Sequence, residues 1–412
     1  MNSSRIVFIE SNTSGTGHMF LAAAAKRGLE PIVMARDPNR YSFAHEHVYR
    51  VDTTDTGRLI EACRNIHRSG RIEAILSSSE YYVAHAALCA RTFGLPGADV
   101  DAVTKCRDKA YQREMLSRAG ISGPEYIVVN SAKEAVEYTK PFGVPLVLKP
   151  RFGSGSIGVR LCHNEQDITN QANQLLSLSE QIDKNPKAGG FIVESYLDGD
   201  EYSVEIFDGQ VIGVTRKHLG KHPHFIETGH DYPATLSKPD MTALVDTTLR
   251  ATETLGLDFG PVHVELRLAK GKASIIEVNP RLAGGFIPKL ITKAAGIDLI
   301  EKTLDRALGK RIVMHKRNHR WASIRFLLPT HNGRLVRLNS NRAQTLLSHD
   351  EEIEMYAAPD SRIQIHGDFR DRMGHAIGIG DNPQTAARQA DSLLAMIDFD
   401  IEAEQTKDGK TK

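Results

Sequence analysis

The sequence predicts an α/β protein whose residues 1–100 form a doubly wound parallel-sheet domain, followed by α+β segments built on antiparallel hairpins. Three observations carry this. Short apolar runs alternate with helical periodicity through the first hundred residues, and the turns Asp208-Gly209 and Lys270-Gly271 each separate two strand-like runs. A loop with three glycines in six positions, Gly153 to Gly158, leaves a strand at Lys149.

In order, residues 5–9 read as a buried strand, followed by a Ser/Thr/Gly loop to Gly17 and an Ala-rich helix over His18 to Arg27. A strand from Pro31 to Ala35, a helix from Leu59 to Arg68 and a strand from Ala74 to Leu76 continue the alternation, which implies parallel strands with crossover helices. Asp101 to Arg118 carries one helical period and stops at Gly120. Ser131 with Glu134 is a capping box. From Leu146 the pattern is strand, glycine loop, strand, a polar helix to Ile182 and a loose link from Asp183 to Gly190. Strands follow at Phe191 to Ser195, Tyr202 to Phe207 and Val211 to Arg216, a helix at Thr242 to Leu255, and strands at Val262 to Leu268 and Ala273 to Val278. Beyond 310 come short strands, a helix over Thr385 to Met396 and a charged tail.

The 412 residues exceed the ~100–200 of a single domain. Lys plus Arg (52) balances Asp plus Glu (51), so no global field favours nucleic acid or an anionic membrane surface. Ile6 to Ile9 is too short for a signal-peptide core and no run approaches the ~18 apolar residues of a span, so a cytoplasmic protein is expected. Cys63, Cys89, Cys106 and Cys162 show no C-x-x-C pair and read as reduced, buried thiols.

The glycine loop can cover phosphates, with Gly153, Gly155 and Gly158 admitting close backbone approach and Ser154 and Ser156 adding hydroxyl donors. It lacks the Gly-Lys-Ser/Thr ending of a Walker A loop, and no HRD or DFG element accompanies it. In Val262-His-Val-Glu265 and Ile275-Ile-Glu277-Val-Asn279, hairpin pairing sets Glu265 and Glu277 on one face with Asn279 two residues on. Two carboxylates and an amide oxygen suit Mg²⁺ bridging phosphates, and Arg281 just beyond can neutralise a transferring phosphoryl group. The bland alternative is a surface ladder with Glu277 paired to Lys272 or Arg267. Glu194 and Glu201 flank one short Asp-Gly-Asp turn.

The order Lys109, Lys149, glycine loop, E-x-Y-L-x-G-x-E-Y-S-V-E, V-E-L-R and E-V-N-P-R resembles the ATP-grasp superfamily over residues 100 to 310, and residues 1–100 resemble its usual N-terminal domain. The resemblance implies the two-subdomain ATP-grasp fold, with a central lid subdomain over 101–190 and a C-terminal subdomain over 191–412 that carries an extension from about 311. It implies Lys109 and Lys149 on ATP phosphates, Glu194, Tyr196 and Leu197 near the adenine hinge, Glu201 on ribose, and Glu265, Glu277 and Asn279 on Mg²⁺, with Mn²⁺ as a substitute. Arg281, Gly284 and Gly285 would line the acyl-phosphate and substrate side, with Arg281, Lys149 and Glu277 catalytic. A homodimer is the family-level expectation.

Four histidines between His218 and His230 suggest a metal loop, but the spacing fits no zinc template. The E-T-G-H stretch at Glu227 to His230 is similar to one in L-amino-acid (dipeptide) ligases, which implies Glu227 pairing with an ammonium and His230 binding or deprotonating the amine. The N-terminal Gly15-Thr-Gly17 loop lacks the third glycine of a dinucleotide fingerprint. The expected activity is therefore carboxylate–amine ligation through an acyl phosphate, joining small-molecule substrates, L-amino acids by resemblance, into an amide. The alternatives are an ATP-grasp carboxylase, a purine-pathway-type ligase and a non-catalytic nucleotide-binding regulator. Residues beyond 310 carry no readable motif and are expected to cap the site or form a subunit contact.

Overall fold

The computed structural model describes residues 4–13, 15–182 and 189–403, with 42–46 and 179–182 described by backbone alone. Most of the expected link after Ile182 and the charged tail lie outside the described residues.

The chain opens on four parallel strands, β1 (Arg5–Ile9), β2 (Glu30–Ala35), β3 (Val48–Arg50) and β4 (Ile72–Leu76), in the order β3-β2-β1-β4. Alternate residues of β1 serve opposite layers: Ile6 and Phe8 pack with Phe20 and Ala24 of α1 (Thr16–Lys26), while Val7 and Ile9 pack with Leu59, Cys63 and Ile66 of α2 (Thr56–Ser69) and Cys89 of α3 (Val83–Thr92). Helix α3 and strand β3 carry no signal strong enough to be expected from the sequence. All four cysteines are free and buried.

The single helix expected over 101–118 is two, α4 (Val100–Cys106) and α5 (Lys109–Arg118). Asp108 breaks it: its carboxylate caps α5 by accepting from the Ala110 N–H at 3.0 Å and also takes the Arg151 guanidinium at 2.7 and 2.5 Å. That break aims Lys109 inward from the first residue of α5.

A second, antiparallel sheet has the order β5-β8-β6-β7. It comprises β5 (Tyr126–Val129), β6 (Leu146–Pro150), β7 (Arg160–Cys162) and β8 (Phe191–Ser195) and is backed by α6 (Ala132–Glu137), α7 (Thr139–Phe142) and α8 (Glu165–Ile182). Ser131 caps α6 as expected, but the reciprocal bond to Glu134 comes from the Asn130 N–H. Because β8 belongs to this sheet, the chain crosses to the next after Ser195, not at residue 190.

The third sheet has eight strands in the order β13-β12-β9-β10-β11-β14-β18-β16. Its first part is β9 (Asp200–Phe207), β10 (Gln210–Leu219), β11 (Glu227–Tyr232), β12 (Pro261–Ala269) and β13 (Lys272–Asn279), with α9 (Lys238–Thr254), α10 (Ile287–Ala295) and α11 (Leu299–Ala307). The histidine-rich segment is thus not one loop: His218 closes β10 and His230 lies on β11, because the ladder pairs Lys217 with His230 and His218 with Gly229. The remainder is β14 (Trp321–Leu327), β15 (Gly333–Asn339), α12 (Asn341–Gln344), β16 (Glu352–Met355), β17 (Arg362–Ile363), β18 (Gly374–Gly380), α13 (Pro383–Ala395) and β19 (Asp398–Glu402). β14 pairs with β11, so residues expected to form a separate extension continue the sheet that carries the acidic strands. Strands β17, β15 and β19 form a small sheet alongside.

Candidate active site

The β12–β13 register sets Glu265 opposite Glu277 and His263 opposite Asn279, as the hairpin argument requires. Neither surface partner proposed for Glu277 is used; it binds Lys109 of α5 at 2.9 Å. Lys109 is buried and also donates to the Gly153 carbonyl at 2.8 Å, tying the glycine loop to the acidic strands. Burial works against the Lys109 ammonium, but Glu277 and Glu80 outweigh it and raise its pKa. Burial, with Glu80 and Glu265 nearby, pushes Glu277 up against the pull of Lys109.

Lys149, at the end of β6, binds Glu194 of β8 at 2.8 Å, and Arg113 of α5 binds the same carboxylate at 2.7 Å. The Glu194 side chain is therefore spent on holding Lys149 and Arg113. Burial draws the Lys149 ammonium down, opposed by Glu194. Glu201 lies across the loop on β9 and meets Lys217 at 3.0 Å and Arg267 at 3.1 Å. Tyr196 reaches towards the His222 ring at 3.4 Å.

Lys217, which the sequence reading passed over, is the hub of this region. Its buried ammonium binds Glu201, Glu227 at 2.6 Å and Glu265. These three carboxylates place oxygens within 4.8 Å of one another, so without the lysine they would repel. Beside them His263 bonds Glu205 at 2.9 Å and Glu265 at 3.2 Å through its two ring nitrogens. Burial opposes its charge, but the two glutamates raise its pKa to about 9.

Glu227 also takes Arg372, whose guanidinium lies 3.7 Å from the Phe326 ring centroid. This departs from an ammonium-binding Glu227: two cations already hold its carboxylate. His230 is fully buried, both ring nitrogens lack a hydrogen bond, and burial drops its pKa to about 3. A neutral ring of that acidity can hydrogen-bond a substrate but is a poor proton acceptor for an amine. Gly285, with φ +57°, lies against it; a Cβ there would fall 2.4 Å from His230 Nε2, so the backbone of 284–285 approaches the ring as no other residue allows.

Arg281 leaves β13 and is held by Glu80, which accepts from Nε at 3.0 Å and Nη2 at 2.5 Å. Its Nη2 also donates to Ser154 Oγ at 3.0 Å and its Nη1 to the Leu282 carbonyl. The Asn279 amide is satisfied with its nitrogen towards Glu80 and Glu277, 3.1 to 3.2 Å away. Glu80 was missed by sequence reasoning; its signal was position, in the loop beyond the carboxyl end of a parallel strand, where such sheets bind ligands. At the tip of the glycine loop, Gly155 (φ +68°) faces the Phe369 ring, and a Cβ there would fall 2.6 Å from it. No helix among the described residues is long and apolar enough to cross a membrane.

Lys109, Arg281 and the glycine loop gather at the Glu277 edge of the hairpin, and on the matches that follow the chain belongs to the ATP-grasp ligases, which form carbon–nitrogen bonds. Residues 142–289 match the ATP-grasp domain and residues 325–402 match the L-amino acid ligase C-terminal domain 2. The uncharacterized protein y4rH of Sinorhizobium fredii is 32% identical over 399 residues, 96% of this chain and 83% of its own length. The alanine–anticapsin ligase of Bacillus amyloliquefaciens is 30% identical over 253 residues, 57% of this chain and 53% of that protein, so the match spans about half of that relative. By fold, the L-amino acid ligase from Bacillus licheniformis superposes with a TM-score of 0.81 at 18% identity, covering 98% of this chain and all of that one. The N5-carboxyaminoimidazole synthetase of Staphylococcus aureus, solved with ADP, gives 0.69 at 16% identity, covering 96% of this chain and 98% of its own.

Proposed function

We propose that the chain joins the carboxylate of one L-amino acid to the amine of another, using Mg-ATP to make an acyl phosphate and releasing ADP and phosphate. The observation that carries this is the convergence of Lys109, Arg281 and the 153–154 loop on the Glu277 edge of the hairpin. The donor set fits Mg²⁺, since Glu265, Glu277 and Asn279 present hard oxygens on one face once the Asn279 amide turns its oxygen inward, and a cation there would relieve the raised Glu277. Bound there, the ion would supply positive charge that offsets the charge of the phosphates.

In this reading Lys109 and Lys149 hold the transferring phosphates, the backbone around 195–197 takes the adenine and Glu201 the ribose. Arg281 stabilises charge as a carboxylate oxygen attacks the γ-phosphorus, and closure of the 153–158 loop keeps water from the acyl phosphate. His230, Arg372 and the Gly284-Gly285 backbone bound the pocket of the incoming amine. In this reading the protein works in the cytoplasm.

Phosphate release from Mg-ATP across the twenty L-amino acids, singly and in pairs, with mass analysis of products, tests this. Release that depends on one pair, with a product of their condensed mass, is the expected result. Release with bicarbonate and none with amino acids would replace the reading with a carboxylase.

A further inference from the structure

We propose that Glu80 binds the α-ammonium of the amino acid being activated, so that Glu80 and Arg281 together recognise that substrate by both its charged groups. This rests on the ligase reading above and adds to it the class of carboxylate accepted.

Glu80 comes from the N-terminal parallel sheet, directly beyond β4, and is 201 residues from Arg281 in sequence. It is 8% exposed, and a carboxylate buried so deeply must be paired. Arg281 is its bonded cation, on Oε2, and Lys109 attracts it through space without a hydrogen bond; the other groups that bond it are neutral, the Asn279 amide nitrogen at 3.1 Å from Oε1 and the Ser154 hydroxyl. A neutral amide or hydroxyl can give way to an ammonium, which brings the carboxylate a full opposite charge as well as a hydrogen bond.

An α-amino acid carries its carboxylate and ammonium on one carbon. A guanidinium and a carboxylate held side by side are the complement of that pair. Glu227 is the competing ammonium site, but Lys217 and Arg372 already hold it, and a third cation there meets repulsion. Stability alone does not account for the pair: a buried ion pair contributes little over apolar packing of the same volume, even though removing one partner is costly. What it does achieve is to bring the N-terminal unit into the site beside Arg281 and the glycine loop.

Hydroxylamine intercepts an acyl phosphate, giving a hydroxamate and phosphate, so the first half-reaction is measurable without knowing the natural amine. Hydroxamate formation is to be compared for each L-amino acid and its des-amino carboxylate, such as L-alanine with propanoate and L-phenylalanine with 3-phenylpropanoate. Wild type should favour the amino acid in kcat/KM, and Glu80→Gln should shrink that ratio by about 10- to 100-fold, the worth of one hydrogen bond to a charged group. Glu80→Asp, which keeps the charge, should retain part of the ratio and serves if Glu80→Gln does not fold. An unchanged ratio in Glu80→Gln, even with both rates lowered, would mean that Glu80 only orients Arg281 and would overturn the proposal. Wild-type turnover of des-amino carboxylates alone would also overturn it while leaving the ligase reading intact. No hydroxamate from any carboxylate would sink both.

Discussion

Glu265 and Glu277 face each other across the β12–β13 hairpin, yet each is held by a different lysine, Glu265 by Lys217 from β10 and Glu277 by Lys109 from α5. The hairpin therefore meets a cation from its own sheet on one carboxylate and a cation from the distant helix α5 on the other. This arrangement keeps two close carboxylates in place before any ligand arrives and sets the terms for the substitutions below.

Glu277→Gln keeps the shape of the side chain while removing its charge. The expected outcome is a loss of roughly 10²–10³-fold in ATP-dependent kcat, the scale of losing one preorganised electrostatic group, in a chain that still folds but melts at a lower temperature than wild type, because buried Lys109 loses its 2.9 Å partner. Steady-state phosphate release and a thermal melt check it. Full turnover in the variant would remove Glu277 from the phosphoryl-transfer site.

Lys217→Met should be the more damaging change to the fold. It leaves the buried Glu201 and the half-buried Glu227 and Glu265 without their shared cation, and breaking a buried pair in this way costs about 3–5 kcal/mol. Urea denaturation measures it. Adding Glu227→Gln to Lys217→Met should recover part of the loss, because one repelling charge is gone; no recovery would argue against a shared-cation role.

Gly155→Ala tests the contact between the glycine loop and the C-terminal segment. Two effects are separable there, a left-handed φ of +68° and a Cβ that would fall 2.6 Å from the Phe369 ring. The variant should raise KM for ATP several-fold, and Phe369→Ala in the same chain should restore the steric part while the backbone strain, about 1–2 kcal/mol, persists. Equal KM values in the single and double variants would exclude the ring contact.

Two buried histidines should give opposite pH dependences. His263, pushed up to about 9 from 6.5, keeps its proton when the unfolded chain has lost it, so its contribution is complete below 6.5 and falls as pH rises through 9. His230, dropped to about 3, stays neutral while the unfolded chain takes up a proton, so stability falls as pH drops from 6.5 towards 3. Melting temperatures between pH 5 and 9 should decline on the alkaline side less steeply in His263→Gln than in wild type. Parallel slopes would show that His263 is not charged in the fold.

Much of this was legible in the sequence because it is local. The Glu265/Glu277 pairing follows from a Lys-Gly turn and a two-residue period, and the glycine loop from the spacing of its glycines. The Asp108 break escaped because its cause is a partner 43 residues away, Arg151, which makes the capping aspartate doubly bonded. Strand β10 was cut short at Arg216 because the residues that extend it, Lys217 to Leu219, begin with two polar side chains and owe their conformation to β11. Lys217 looked like one more surface lysine in a basic stretch; only the folded sheet surrounds it with three carboxylates.

By itself the sequence determined the parallel opening, the hairpins, the glycine loop and the oxygen-rich face, since turn chemistry and side-chain alternation are properties of neighbouring residues. The tertiary structure alone decided which charges meet. Glu80 reaches Arg281, Lys109 reaches Glu277 and Arg372 reaches Glu227 across 145 to 201 positions. Burying an ion forces it to find an opposite partner, and where that partner lies depends on how the sheets pack.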